Sequence, residues 1–295
     1  MATTITSNFP PDLIITSNRA TNSCIFTDRL TSQYLTSTST AAETTAGVNS
    51  VNSPSFLNNI SYMTGASGST TGNFVGWAFK RASGFFDIVC YTGTGVATTV
   101  AHNLGVVPEL IIVKARNRSG FYVTGWCVWN TSVVSTYGPS YLLSMNETSP
   151  AQANSAIFTT TQPTSTVFSV GTSDSTNASA NGNLYVSYLF ATLAGISKVG
   201  SYTGNGTSQT IACGFTTGAR FIMIKRTNSA GDWYIWDSAR GIVSANDPHL
   251  SLNTTVAEVT TDDSVDPNNS GFIVNQAAAT NINVTSATYI FLAIA

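Results

Sequence analysis

The chain repeats itself, and that repetition limits its fold more than any single motif does. Tyr91-Thr92-Gly93-Thr94-Gly95 returns as Tyr202-Thr203-Gly204-Asn205-Gly206, an offset of 111. At the same offset Leu110-Ile111-Ile112-Val113-Lys114 falls on Phe221-Ile222-Met223-Ile224-Lys225. An earlier copy, Pro11-Asp12-Leu13-Ile14-Ile15, matches Pro108–Ile112 at an offset of 97. A second segment occurs three times, as Cys24–Asp28, Trp126–Asn130 and Trp233–Asp237. Each copy closes on an apolar run: Asn73–Phe79, Asn183–Phe190 and Ala287–Ala295. The chain therefore divides into three tandem units, residues 1–82, 83–194 and 195–295. Unit one is incomplete, because it lacks the Tyr-Thr-Gly-x-Gly segment that opens the other two.

These runs are short, β-branched or aromatic, and bounded by Gly, Asn, Ser and Pro, which predicts strands. Tyr-Thr-Gly-x-Gly followed by Val96–Val100 reads as strand, turn, strand, and Leu110–Lys114 as a buried core strand. No window sustains a helical stripe or a coiled-coil heptad. Only Ser37–Ala46 reads as a short helix or a loop. The expected class is all-β, three tandem β-sandwich-like repeats, each of a size that can bury its own core.

Charged residues make up 9% of the chain, against about 25% in ordinary domains. The net charge of −2 supplies no basic surplus for phosphate backbones, so nucleic acid is not an expected partner. The longest apolar runs, such as Val186–Phe190 and Tyr289–Ala295, fall far short of the ~18 residues of a membrane helix, and no membrane insertion is expected. The N-terminus has neither the basic start nor the apolar stretch of a secretory signal. Sequons such as Asn59, Asn117, Asn146, Asn205 and Asn253 then carry little meaning. A surface with so little charge suits a protein packed in an assembly.

Motifs for catalysis are missing, and no cofactor is expected: there is no H-E-x-x-H, Walker A or G-x-S-x-G pattern. Gly65–Ser69 reads as a loop. His102 and His249 sit at non-equivalent positions and read as surface or turn residues. Asp262, Asp263 and Asp266, near Glu258, raise calcium as one reading and Asx-turns as the other. Cys24, Cys90, Cys127 and Cys213 do not recur with the repeat, so four buried free thiols are expected. Trp129 and Trp236 are repeat equivalents and read as core, while Trp77 and Trp126 remain candidates for ligand or partner contact. Asp237-Ser238-Ala239-Arg240-Gly241 reads as an Asp-capped turn with Arg240 laid over apolar surface.

Tyr-Thr-Gly-Asn-Gly at 202–206, Phe-Ile-Met-Ile-Lys-Arg at 221–226, Trp-Asp-Ser-Ala-Arg-Gly at 236–241, Thr-Thr-x-Ala-Glu at 254–258 and Asn-Ser-Gly-Phe at 269–272 form a set. With Pro-Asp-Leu-Ile-Ile in unit one, it resembles a repeated domain of unknown function from structural proteins of marine bacteriophages, common in predicted tail-fibre and other particle-surface proteins. Unit two departs from the pattern at Trp129–Val133. The resemblance implies a virion component without known enzyme activity, located in the virion. A short tail fibre or spike that contacts the host is the first expectation, and a capsid decoration, cement or head-fibre protein the second. A glycan-binding lectin or glycan-active enzyme is the third. The chain shows neither an anchoring module nor a coiled-coil shaft, which brings the second expectation close to the first.

A sheet missing its opening strand exposes a hydrogen-bonding edge. Met1–Asn8, a neighbouring subunit or another virion protein would supply the strand. The expected partners are thus other copies of the chain (a trimer, from fibre symmetry), other phage proteins and a host receptor.

Overall fold

The computed structural model describes residues 9–21, 24–45, 74–118, 125–178 and 182–295. Three main antiparallel sheets are each built from the strands of one sequence unit. Unit one supplies β1 (Leu13–Asn18), β2 (Ile25–Asp28), β3 (Gln33–Thr36), β4 (Thr44–Thr45) and β5 (Phe74–Phe79), in the order β4-β3-β2-β1-β5. Unit two supplies β6 (Phe86–Thr92), β7 (Thr98–Ala101), β8 (Leu110–Ala115), β9 (Cys127–Asn130), α1 (Thr131–Tyr137), β10 (Tyr141–Ser144), β11 (Gln152–Ala153), β12 (Val167–Val170), α2 (Asp174–Asn177) and β13 (Leu184–Phe190). Its main sheet runs β11-β10-β9-β8-β13-β6, and β7 pairs with β12 apart from it. Unit three supplies β14 (Ser197–Thr203), β15 (Gln209–Ala212), β16 (Phe221–Arg226), β17 (Trp233–Asp237), β18 (His249–Ser251), β19 (Val265–Asn268), β20 (Gly271–Val274) and β21 (Thr288–Ile294). Its sheets run β14-β21-β16-β17-β18 and β15-β20-β19.

Side chains alternate across a strand, so each sheet has two faces to cover. The faces turned inward meet one another. Leu13 and Ile15 of β1, Leu110 and Ile112 of β8, and Phe221 and Met223 of β16 all belong to one core. These are the same repeat positions in the three units. Units two and three each bury a core of their own, as expected, and the inner faces of all three units meet in a further, shared one. The outer faces of units two and three have second layers: Val100 of β7 and Phe168 of β12 cover Ile111 and Val113, while Ile211 of β15 and Phe272 of β20 cover Ile222 and Ile224. Burial on both faces explains why Leu110–Val113 reads as continuously apolar rather than alternating. Among the described residues, unit one has no such second layer.

The repeated motif is explained by its turn. A side chain at Gly93 would strike the Ala178 carbonyl oxygen at 2.4 Å, and one at Gly204 would strike that of Val284 at 2.2 Å. Gly95 and Gly206 have φ of 73° and 79°, the left-handed region that glycine enters without strain. Buried Asn177 and Asn283 lock the turn from equivalent places. Each accepts a backbone N–H through its side-chain oxygen, from Thr94 at 2.7 Å and Asn205 at 3.0 Å. Tyr91 stacks on Tyr185 at 5.2 Å, and Tyr202 on Tyr289 at 4.8 Å.

Of the two readings of Ser37–Ala46, the loop holds over the described residues, which run as turn and coil to β4. Conversely, α1 and α2 occur where no helix was expected. Asn130 caps α1 by accepting the N–H groups of Ser132 and Val133 at 2.9 and 3.2 Å. A helix this short shows no periodic stripe, and only its Asn cap is visible in the sequence.

Candidate functional site: three seams and an open strand edge

Three seams join the units in a closed ring, and they use equivalent positions. The Trp126 indole N–H of unit two donates to the Thr36 and Ser39 carbonyls of unit one, at 3.1 and 3.2 Å. Trp233 of unit three donates to Ser144 of unit two at 2.9 Å. Cys24 of unit one points its thiol at Ser251 of unit three, at 4.0 Å. Backbone contacts repeat the cycle: Glu43 N–H to Arg116 at 2.5 Å, Ala151 N–H to Thr227 at 2.8 Å and Glu258 N–H to Arg19 at 2.8 Å.

Two fully buried lysines strengthen the first two seams. The Lys114 ammonium donates to the carbonyls of Thr40 and Ala41 at 3.3 and 3.1 Å. That of Lys225 donates to Thr148 at 2.8 Å and Gly231 at 2.6 Å. Burial pushes both down to about 8. Ser17 occupies the equivalent place in the third seam.

A polar pair also goes round the ring. Asp28, Asn130 and Asp237 each cap the turn after the second strand with Oδ1. The second oxygen of Asp28 accepts the Tyr188 hydroxyl at 3.0 Å, and that of Asp237 accepts the Trp77 indole N–H at 2.9 Å. Trp77, Tyr188 and Leu292 are register equivalents, facing Ile15, Ile112 and Met223. Where the donor becomes Leu292, the acid becomes neutral Asn130, and its amide nitrogen is buried without a partner. A carboxylate is present in this ring only where a donor from the next unit reaches it, as the cost of an unpaired buried charge requires.

The third seam also carries an ionic chain. Arg240 binds Asp237 at 2.6 Å and Glu258 at 2.7 Å, and Glu258 binds Arg19 at 2.5 Å. Arg240 also lies 5.3 Å over the Trp77 ring. As expected, Asp237 caps the turn and Arg240 covers an apolar surface, the Trp77 ring of unit one, while its ion pairs stay within unit three.

Beside this seam lies β5, the last described strand of its sheet. In unit two β6 flanks β13, and in unit three β14 flanks β21. Among the described residues, β5 has a neighbour on one side only, β1. A cavity of about 580 Å³ lies along that edge, lined by Val75–Lys80, Phe9, Phe85, Ile196, Arg220, Phe221, Asp237–Ala239, Ile294 and Ala295. Its volume lies within the range of ligand sites, but one wall is an unpaired strand.

A protein-family model matches residues 1–295, the whole of the chain. The chain belongs to the DUF7483 family. That family is a domain of unknown function, and the match treats all three units of this DUF7483 chain as one domain. No curated protein and no solved structure matches. The family match carries no statement about bacteriophage particles.

The sequence candidates fall in different places in this DUF7483 fold. Trp126 is fully buried with its N–H engaged between units, so it offers no surface to a ligand, contrary to expectation. Trp77 is 93% buried, since 7% remains exposed, yet it borders the open cavity. Trp129 and Trp236 are buried. His102 and His249 are buried too, not at the surface. The ring of His102 lies between the Thr164 carbonyl (3.2 Å) and the Leu104 N–H (3.3 Å), and His249 sits 3.1 Å from Asp262. Cys24, Cys127 and Cys213 are buried free thiols, but Cys90 is exposed: it shares the face of Phe86 and Ile88 on edge strand β6 but lies beyond the stretch that enters the core.

The acidic cluster disperses. Asp262 faces His249 and Ser264, Asp263 and Asp266 both accept the Asn275 amide, and Glu258 belongs to the arginines. Burial raises the Asp262 pKa, but the His249 and Ser264 contacts outweigh it and lower the net value. Among the described residues no group of three or more metal-ligating side chains converges, so Asp262–Asp266 carries no calcium proposal. Asn59 and Gly65–Ser69 lie outside the described residues.

Proposed function

We propose that this protein is a structural component of a bacteriophage virion, exposed on the particle as a short tail fibre or spike that contacts the host. One observation carries this reading: the buried ionisable side chains are engaged in bracing the fold. Lys114, Lys225 and Glu258 join units, Asp28 and Asp237 cap turns while accepting donors across seams, and Asp247 accepts three backbone N–H groups. A scaffold that commits its charge internally and keeps a polar, weakly charged exterior suits a passive building block. The sequence resemblance to phage particle proteins supplies the biological setting.

A capsid decoration or cement protein is the second reading, favoured by the open β5 edge, which suits clamping to a neighbour. Fibre symmetry suggested a trimer, but one chain already surrounds its core with three sheets, so this reading does not require one. Light scattering on the purified protein measures the chain number. Immunogold labelling of purified particles tests the proposal itself. Gold at the tail supports the fibre reading, gold over the head supports decoration, and unlabelled particles containing none of the chain by mass spectrometry overturn both. Specific binding on an array of host glycans, or release of fragments from them, would replace these readings with a lectin or an enzyme.

A further inference from the structure

We infer that the third seam binds a potassium-sized monovalent cation beside Ser17, in the place that a lysine ammonium fills in the other two seams. The inference concerns how the ring is closed and holds wherever the protein resides.

The other two seams supply the pattern. Lys114 and Lys225 are fully buried, and each ammonium sits among backbone carbonyls. Lys114 donates to Thr40 at 3.3 Å, to Ala41 at 3.1 Å and to its strand neighbour Ala115 at 3.2 Å. Lys225 donates to Thr148 at 2.8 Å and to Gly231 at 2.6 Å. A group of carbonyl oxygens aimed at one point is also the donor set that replaces the hydration shell of potassium.

Register places Ser17 where these lysines stand. Ser17 faces Val75 in its sheet, as Lys114 faces Val186 and Lys225 faces Ile290. The seam around it is built in the same way. Thr36, Ser144 and Ser251 each accept a contact from the neighbouring unit. Seven positions further on in each unit, Glu43, Ala151 and Glu258 donate an N–H across the seam. Equal spacing puts Thr255 at the place of Thr40 and Thr148, and Val256 at that of Ala41. Ser17 turns its hydroxyl toward the Asn18 carbonyl at 3.5 Å, as Lys114 turns its ammonium toward that of Ala115. The oxygens assigned to the ion are the carbonyls of Asn18, Thr255 and Val256 and the Ser17 hydroxyl, with water completing the shell.

Charge and size set the class of ion. The first seam already holds a positive charge, Lys114, on the strand that leads into the Arg116–Glu43 pair. The third seam repeats that pair as Arg19–Glu258, so a cation beside Ser17 restores the same balance. The lysine nitrogens lie 2.6–3.3 Å from their carbonyl oxygens. That spacing suits potassium, whose radius is close to that of ammonium. Calcium, at about 2.3–2.6 Å from its oxygens and with carboxylates among them, prefers a tighter and more acidic shell. Ser17 is 1% exposed, whereas Val256 is 64% exposed, so an ion enters from the side of the loop.

The test uses the full-length protein in chloride salts of equal ionic strength. The thermal midpoint should rise saturably with potassium, by about 3 °C at a tenfold excess over its dissociation constant, and should stay level with lithium or N-methylglucamine. Ser17→Lys should raise the midpoint in the absence of potassium and abolish the response to it. Thallium-205 NMR on the unaltered protein does not depend on that variant folding. A bound resonance displaced by potassium and not by lithium is expected. Three results would overturn the inference: equal midpoints in all three salts, as water at the site would give; no bound thallium resonance; or a potassium response unchanged in Ser17→Lys, which would place the ion elsewhere.

Discussion

The seam between units one and two and the seam between units three and one share their backbone contacts and an equivalent Arg–Glu pair, Arg116–Glu43 in one and Arg19–Glu258 in the other, but differ in the remaining side chains. The first is closed by large groups: Trp126 reaching 3.1 Å to Thr36, Lys114 reaching across to Ala41, and β6 inserting Phe86. At the third seam the same positions hold Cys24 and Ser17, and no described strand is inserted. There the Arg19–Glu258 pair is extended by Arg240 and Asp237 into a longer ionic chain. The difference teaches that the ring tolerates loss of the large pegs where the shared ion pair is extended, and that among the described residues the cavity along β5 lies beside the seam with the small residues.

The sharpest way to break the comparison is at the tryptophan. Trp126→Ala should cost about 4 kcal/mol in denaturant unfolding, from the cavity and the two abandoned carbonyls, whereas Cys24→Ala at the equivalent place should cost about 1 kcal/mol. Equal losses would show that the seams do not differ as described. Next comes the ionic seam. Glu258→Gln should cost about 3 kcal/mol, because Arg240 is left buried with only Asp237, and Glu43→Gln, on the far seam, should cost about 1 kcal/mol.

Proton linkage separates the seams in another way. Burial depresses Lys114 from 10.5 to about 8, so its contribution to stability is present above 10.5 and is lost as pH falls through about 8. The stability of the wild type relative to Lys114→Met should therefore rise by on the order of 3 kcal/mol from pH 8 to 10.5, at 1.36 kcal/mol per unit. A flat difference across that window would mean the ammonium is not buried. The smallest effect concerns the polar pairs. Tyr188→Phe should cost about 1–2 kcal/mol and raise the Asp28 pKa further above its already elevated position, which burial sets first. The Trp77→Phe change should cost no more stability than Tyr188→Phe, because Arg240 still holds the Asp237 carboxylate at 2.6 Å. Denaturant unfolding of the two variants measures the losses, and carboxyl titration by NMR follows Asp28 in Tyr188→Phe.

Much of the fold was legible before any coordinates. Offsets of 97 and 111 located the equivalent strands, and alternation with turn residues marked them as β. The missing opening segment of unit one pointed to an open edge at β5. The site was less legible. Trp126 looked like a surface candidate because its two acceptor carbonyls lie 90 and 87 residues away. Likewise nothing near Lys114 or Lys225 announces a buried ammonium. Asn130 facing Leu292 looks like a lapse of the motif until the ring brings the two positions into register.

By itself the sequence determined which segments are strands and which positions correspond, since hydrophobic period and turn chemistry act over a few residues. Tertiary structure alone decided that the three sheets share one core, that the buried charges join units, and that a cavity along β5 lies over Phe221. A two-residue period reports that a side chain is covered, but not which distant segment covers it. That choice depends on how whole sheets close around one another.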